Sequence, residues 1–313
     1  MTEVKAQLEL SNKSIVKKGT LFLSVALLVT VVSICQAQNA ERTRPEADLS
    51  VAPIIKCVQD LWGLFDPYFG TGAVKGNIGV DLSTTIVSKH MWHGFDLLDD
   101  HGAVIPSATV TFGDTGFSGK VIGVYPLSSG FEKSVELNYA AFYKGSFLED
   151  TRYVSDFTVN YFYYGKPKVA RRKADTQEIG VSLCWPELIN VGGSSVVPSY
   201  YFGSIWPSKS DSDNSGCEGF IHAFGLGYDL SIPDFWQDKK EQIFSFFGNI
   251  TYNDGFGGAA VDSDWSHAVI GVRTNLGRGN LTIAPGLYYQ ISMDDSVNDE
   301  DELWCGLTLT YSF

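Results

Sequence analysis

Two histidines three residues apart, His90 and His93, and the adjacent pair Ser266-His267 are the placements closest to metal or nucleophilic chemistry. Joint metal ligation by His90 and His93 needs both imidazoles on one side of the backbone. A strand turns successive side chains to opposite faces, so an i, i+3 pair on a strand diverges. Ser266 and His267 meet the same objection, because a serine nucleophile must hydrogen-bond its general base and neighbours on a strand face opposite ways. The acidic run Asp294, Asp295, Asp299, Glu300, Asp301 and Glu302 offers carboxylate oxygens to a divalent cation. It lacks the fixed ligand spacing and the turn glycine of a calcium loop, so it reads as a solvated loop. There is no Walker loop, paired metal motif or Gly-x-Ser-x-Gly elbow. The expectation is a chain with no catalytic residues, no metal and no cofactor.

The elements that would carry such groups are strands. From Leu281 to Met293 the residues Leu281, Ile283, Pro285, Leu287, Tyr289, Ile291 and Met293 alternate with Asn280, Thr282, Ala284, Gly286, Tyr288, Gln290 and Ser292. The final segment repeats the pattern: Leu303, Cys305, Leu307, Leu309, Tyr311 and Phe313 alternate with Trp304, Gly306, Thr308, Thr310 and Ser312. Each segment therefore has an apolar face and a polar or small one. Similar alternation runs through 78–92, 103–112, 117–125, 134–143, 154–164, 177–185, 195–206, 219–230, 242–252 and 265–276. That gives about twelve strands, and an even number suits a single-chain transmembrane barrel. Soluble strands average about 5–6 residues, whereas these segments approach the ~9–11 that a tilted strand needs to cross a bilayer. Aromatic side chains fall near segment ends, at Tyr125, Tyr143, Tyr163, Trp185, Trp206 and Tyr252, as interfacial girdles would. The fold expected is all-β: a transmembrane, antiparallel, up-and-down barrel.

The chain has 313 residues, is 44% hydrophobic and carries a formal net charge of -13. This acidic balance argues against nucleic-acid binding, which relies on basic patches. Leu21–Ile34, preceded by Lys17 and Lys18 and followed by Cys35-Gln36-Ala37, has the charge, apolar run and small-residue site of a signal peptide. The domain reading is a signal peptide over 1–37, a periplasmic segment over 38–76 and the barrel over 77–313. Within the middle segment Val51, Ile54, Ile55, Val58, Leu61, Trp62 and Phe65 recur at helical spacing, which predicts a short amphipathic helix. It would rest at the membrane surface or enter the lumen as a plug. Beyond the signal peptide, Cys57, Cys184, Cys217 and Cys305 fit no zinc or haem spacing, and unpaired thiols are the plain reading.

With both termini periplasmic, the connections 94–102, 165–176, 207–218, 253–264 and 294–302 lie outside, and Gly113–Gly116 and Gly277–Asn280 are tight periplasmic turns. The alternation then directs Lys120, Glu136, Asp156, Glu178, Asp229 and Arg273 into the lumen. Asn138, Asn160, Ser182, Asn249, Asn275, Thr308 and Thr310 share that direction. Charged lumen groups set the selectivity of a pore, and the excess of acids predicts a weak cation preference. Outer-membrane lipid and lipopolysaccharide are the expected surroundings of a monomer. A closed structural or adhesive barrel without transport is the alternative.

The stretch Val87-Ser88-Lys89-His90-Met91-Trp92-His93-Gly94-Phe95, Pro106 in the second strand and Val135-Glu136-Leu137-Asn138-Tyr139 in the fourth resemble the TorF-type porins. These are conserved bacterial outer-membrane β-barrel proteins. In that family the first strand ends in a Val-Ser-x-x-x-(Trp/Phe)-Arg-Gly pattern; here His93 stands in the place of the arginine. The resemblance implies a channel-like outer-membrane barrel and supplies no substrate. Tyr311 and Phe313 likewise resemble the terminal aromatic signature that such proteins present to the barrel assembly machinery.

Overall fold

The computed structural model describes residues 78–313 apart from 171–172, 192–193, 210–215, 234–240 and 259. The signal-peptide and amphipathic-helix expectations for 1–76 lie outside the described residues. Twelve long strands follow one another: β1 Gly79–Val87, β2 Ala103–Thr111, β3 Phe117–Pro126, β4 Glu136–Phe147, β5 Ser155–Gly165 and β6 Thr176–Cys184, then β7 Ser194–Pro207, β8 Gly219–Pro233, β9 Glu241–Asp254, β10 Asp264–Thr274, β11 Leu281–Ser292 and β12 Glu302–Ser312. Each pairs antiparallel with the next. β12 pairs back onto β1, so the sheet closes. Closure removes the unpaired edge that neither water nor lipid would satisfy.

The alternation predicted from sequence governs the two faces. On β6, Thr176, Glu178, Gly180, Ser182 and Cys184 are buried inward, while Ile179 is exposed on the other face. On β12, Glu302, Trp304 and Thr310 are buried, and Leu303, Leu307, Leu309 and Tyr311 are exposed. The irregular β3 resolves as Lys120, Ile122 and Val124 inward with Val121 outward. The outer surface gathers Leu137, Tyr139, Tyr143, Ile179, Phe224, Leu226, Ile270, Leu287 and their neighbours. A water-exposed monomer rarely tolerates a continuous apolar patch beyond a few hundred Å². A closed twelve-strand barrel sheathed in such residues belongs in the bacterial outer membrane.

The seam between β1 and β12 carries a ladder of inward hydroxyls. Ser83 pairs with Thr310 at 2.9 Å and Thr85 with Thr308 at 2.8 Å. The Phe313 amide donates to the Val80 carbonyl at 2.9 Å, tying the last residue to the first strand. Tight connections lie on the side of the chain ends. At 112–116 the Phe112 and Phe117 backbones pair, and Gly116 takes a left-handed φ of 80° that a side chain would strain. The predicted turn at Gly277–Asn280 is shorter still, because Leu276–Arg278 continues to pair with β11. Asn275 falls beyond the end of β10 and is exposed, so it does not line the lumen.

Three expectations need correction. β1 stops at Val87 instead of running to residue 92, and 88–102 is a loop in which Met91–Trp92 pairs with Phe95–Asp96 as a miniature hairpin. The objection that His90 and His93 diverge on a strand therefore does not apply. Unpaired cysteines hold for Cys217 and Cys305, but Cys184, on the inner face of β6, is disulfide-bonded. A chain of the outer membrane passes through the oxidising compartment in which such bonds form. Finally, Ser266 and His267 do not face opposite ways. Opposite Thr251 and Tyr252 the β9–β10 register slips, leaving Ser266 as the extra residue of a β-bulge. A bulge rotates the local backbone and re-aims a side chain. Both residues are buried, and Ser266 Oγ lies 2.9 Å from His267 Nδ1.

Candidate functional site: a hairpin across the bore

The loop 88–102 follows β1 at the end of the barrel away from Gly79, and its hairpin reaches both sides of the ring. On one side His93 Nε2 lies 3.2 Å from Glu178 Oε2 on β6, and the Trp92 ring stands edge-on to Tyr164 of β5 at 5.5 Å. On the other, the next residue, Gly94, accepts a 2.8 Å hydrogen bond at its carbonyl from Gln290 Nε2 on β11. A Cβ at Gly94 would collide with the His267 imidazole on β10, and its φ of 93° also favours glycine. β5 and β6 stand opposite β10 and β11 in the ring, so His93-Gly94 bridges the bore. Phe256, in the connection after β9, packs on both Trp92 and His93 with centroids 5.5 and 4.5 Å apart.

Burial explains why the loop turns inward. Trp92 and Leu98 join an inward apolar cluster with Ile105, Ile122, Val124, Phe142, Phe162 and Tyr164 on β2–β5, while Met91 joins a second cluster with Phe247, Val269, Tyr288 and Trp304 on β9–β12. The loop wedges between them. Each fully buried large apolar side chain contributes about 1.5–3 kcal/mol, enough to outweigh ordering a short loop. At the loop's base Lys89 bonds the carboxylates of Asp100 and Glu302. Partial burial opposes the ammonium, but these two bonds outweigh it and hold its pKa above the ordinary lysine range. Asp96, Asp100 and Glu302 bring three carboxylate oxygens within 4.8 Å of one another, with the Lys89 ammonium bonded to two of them.

Glu178 is the hub. It is 1% exposed and accepts from Tyr164 Oη at 2.7 Å, from the Tyr201 hydroxyl and from His93. A carboxylate so deeply placed needs such donors to offset its lost hydration. Tyr201 reaches it because its ring lies flat over Gly180 and Gly203, where any Cβ would clash with it.

The six charged residues read from the sequence all lie on the inner face, at two depths. Glu136 and Glu178 sit near the end of the barrel that carries the 88–102 loop; Lys120, Asp156, Asp229 and Arg273 sit near the opposite end. In the latter group Asp229, Ser245 and Arg273 occupy one row across β8, β9 and β10. Ser146 Oγ donates to Asp156 at 2.5 Å. The six therefore do not form a single ring, and the alternation reasoning missed the hairpin that occupies the bore at the level of Glu178. Its signal was the adjacent apolar pair Met91-Trp92 before Gly94, which breaks the period of two. The Ser266-His267 pair is buried, each residue 1% exposed, with the His267 imidazole set against Gly94.

No protein-family model matches the chain, and no curated protein is similar to it in sequence. Among solved structures, the NanC porin is 10% identical, with 74% of this chain and 98% of the other covered and a TM-score of 0.44. The KdgM porin is 8% identical over 75% and 99% of the two chains, with a TM-score of 0.42. An outer-membrane channel from Pseudomonas putida F1 is 11% identical over 77% and 97%, with a TM-score of 0.45.

Proposed function

We propose that this protein is an outer-membrane channel of porin type, through which small polar solutes diffuse passively and whose narrowest point is the 91–96 hairpin. The single observation that carries the reading is the inner surface of β8–β12. Near the end of the barrel away from the hairpin, Asp229, Ser245 and Arg273 form a polar row across that wall beside Gly225 and Gly227, while Gly271 and Gly286, nearer the hairpin, seat the Phe247 and Tyr288 rings. Small and hydrophilic groups leave room for water, whereas a barrel built only for support fills its interior with side chains. The resemblance of 87–95 to the TorF-type porins fits this reading, and Tyr311 and Phe313 fit an assembly signal at the end of β12. The lumen is weakly cation-preferring and the protein monomeric in this proposal, with no cofactor.

A second reading, a closed structural barrel, is favoured by the bridge from Glu178 through His93-Gly94 to Gln290. Planar-bilayer recording decides between the two. Wild-type protein should give discrete steps, and replacing 91–96 by a Gly-Ser linker should enlarge them several-fold. Steps in neither protein would leave only the structural barrel.

A further inference from the structure

Above the hairpin, at the outer mouth, lies a cavity of about 340 Å³ whose lining includes Trp92, Phe95, Tyr164, Thr176, Glu136 and Lys166. Its two charges are arranged in an unusual way. Glu136 is buried to 7% exposure, and one of its carboxylate oxygens accepts from Asn138 Nδ2 at 2.8 Å. The other, Oε1, faces Lys166 Nζ at 3.8 Å, too far for a hydrogen bond. A desolvated carboxylate held just short of its cation loses hydration without the full return of a bonded pair. Aromatic rings from Trp92, Phe95 and Tyr164 form an apolar flank.

We infer that this cavity is a binding site for a zwitterionic solute of amino-acid size with an apolar or aromatic side chain. An ammonium group would take Glu136 Oε1 in place of the more distant Lys166. A carboxylate would take Lys166. The side chain would lie against Trp92 and Phe95. The site is neutral overall, so a ligand carrying one charge leaves the opposite protein charge without its partner, and charge-assisted hydrogen bonds are the strong ones. This goes beyond the channel reading, because occupancy needs no open bore; binding and conductance can fail separately.

The test uses the full-length protein in detergent and titration calorimetry with four probes: L-phenylalanine, phenethylamine, 3-phenylpropionate and glucose. L-Phenylalanine should bind saturably and at least about tenfold more tightly than either singly charged analogue. Glu136→Gln should weaken L-phenylalanine by about tenfold and tighten 3-phenylpropionate, and Lys166→Met should weaken L-phenylalanine while tightening phenethylamine, because each change removes the charge that the matching analogue would strand. Equal binding of the three phenyl probes, binding of glucose alone, or no saturable binding at all would overturn the assignment. Heat-modifiable electrophoretic mobility reports whether each variant is folded; if one is not, the four-probe series on the wild type decides.

Discussion

The two inner walls of this barrel hold the same hairpin by different means. The wall of β4–β6 grips it through polar chemistry: Glu178 gathers His93, Tyr164 and Tyr201, and Asn138 steadies Glu136. The wall of β10–β12 grips it through shape. There Gly94 seats against His267 where no Cβ would fit, Met91 packs beside Tyr288 and Trp304, and Gln290 supplies one hydrogen bond. Buried polar networks are costly when broken but specific in geometry, whereas packing contacts are individually small and forgiving. The difference implies that the hairpin's position is set on the β6 side and its fit on the β11 side.

That contrast can be broken one wall at a time. The largest effect is expected from Glu178→Ala, which strands two tyrosine hydroxyls and His93; equilibrium urea unfolding in lipid should register a loss of about 3 kcal/mol. Gly94→Ala should cost about 2 kcal/mol by the same measurement, from the left-handed backbone and the displaced His267. Gln290→Ala removes one buried bond and should cost about 1 kcal/mol. If Gln290→Ala proved more disruptive than Glu178→Ala, the assignment of roles to the two walls would be reversed.

The smallest effect concerns pH. His90, in the loop, has its pKa lowered from the ordinary 6.5 chiefly by burial, an effect also deepened by Lys166 and opposed by Glu136 and Asp96. A histidine whose folded pKa is depressed binds fewer protons in the docked state, so docking is strongest above about 6.5 and weakens as pH falls through the depressed value. Single-channel records at pH 5 should therefore show more frequent opening than at pH 7.5, and His90→Asn should flatten that dependence.

Much of the wall was legible because a strand exposes its design one residue at a time. Leu303 to Phe313 alone fixed which side of β12 meets lipid, and Thr308 and Thr310 followed. Two places resisted the same reasoning. Ser266 sits at a bulge, where one extra residue cancels the rule that neighbours oppose. The hairpin resisted because loop packing depends on what lies across the bore, and no spacing within 88–102 encodes Glu178 or Gln290. Tyr201 was likewise hidden, since its reach depends on glycines at 180 and 203 on two different strands.

The hydroxyl ladder between β1 and β12 has a bearing on how the barrel is made. β12 must find β1, which is made long before it, and until it does both are open edges. A slip of one residue at that junction would turn Leu309 into the bore and Thr308 into lipid, while Ser83 and Thr85 would face no matching hydroxyl. The pairing of Ser83 with Thr310 and Thr85 with Thr308 thus acts as a proofreading key, accepting one alignment of the chain's two ends and rejecting its neighbours.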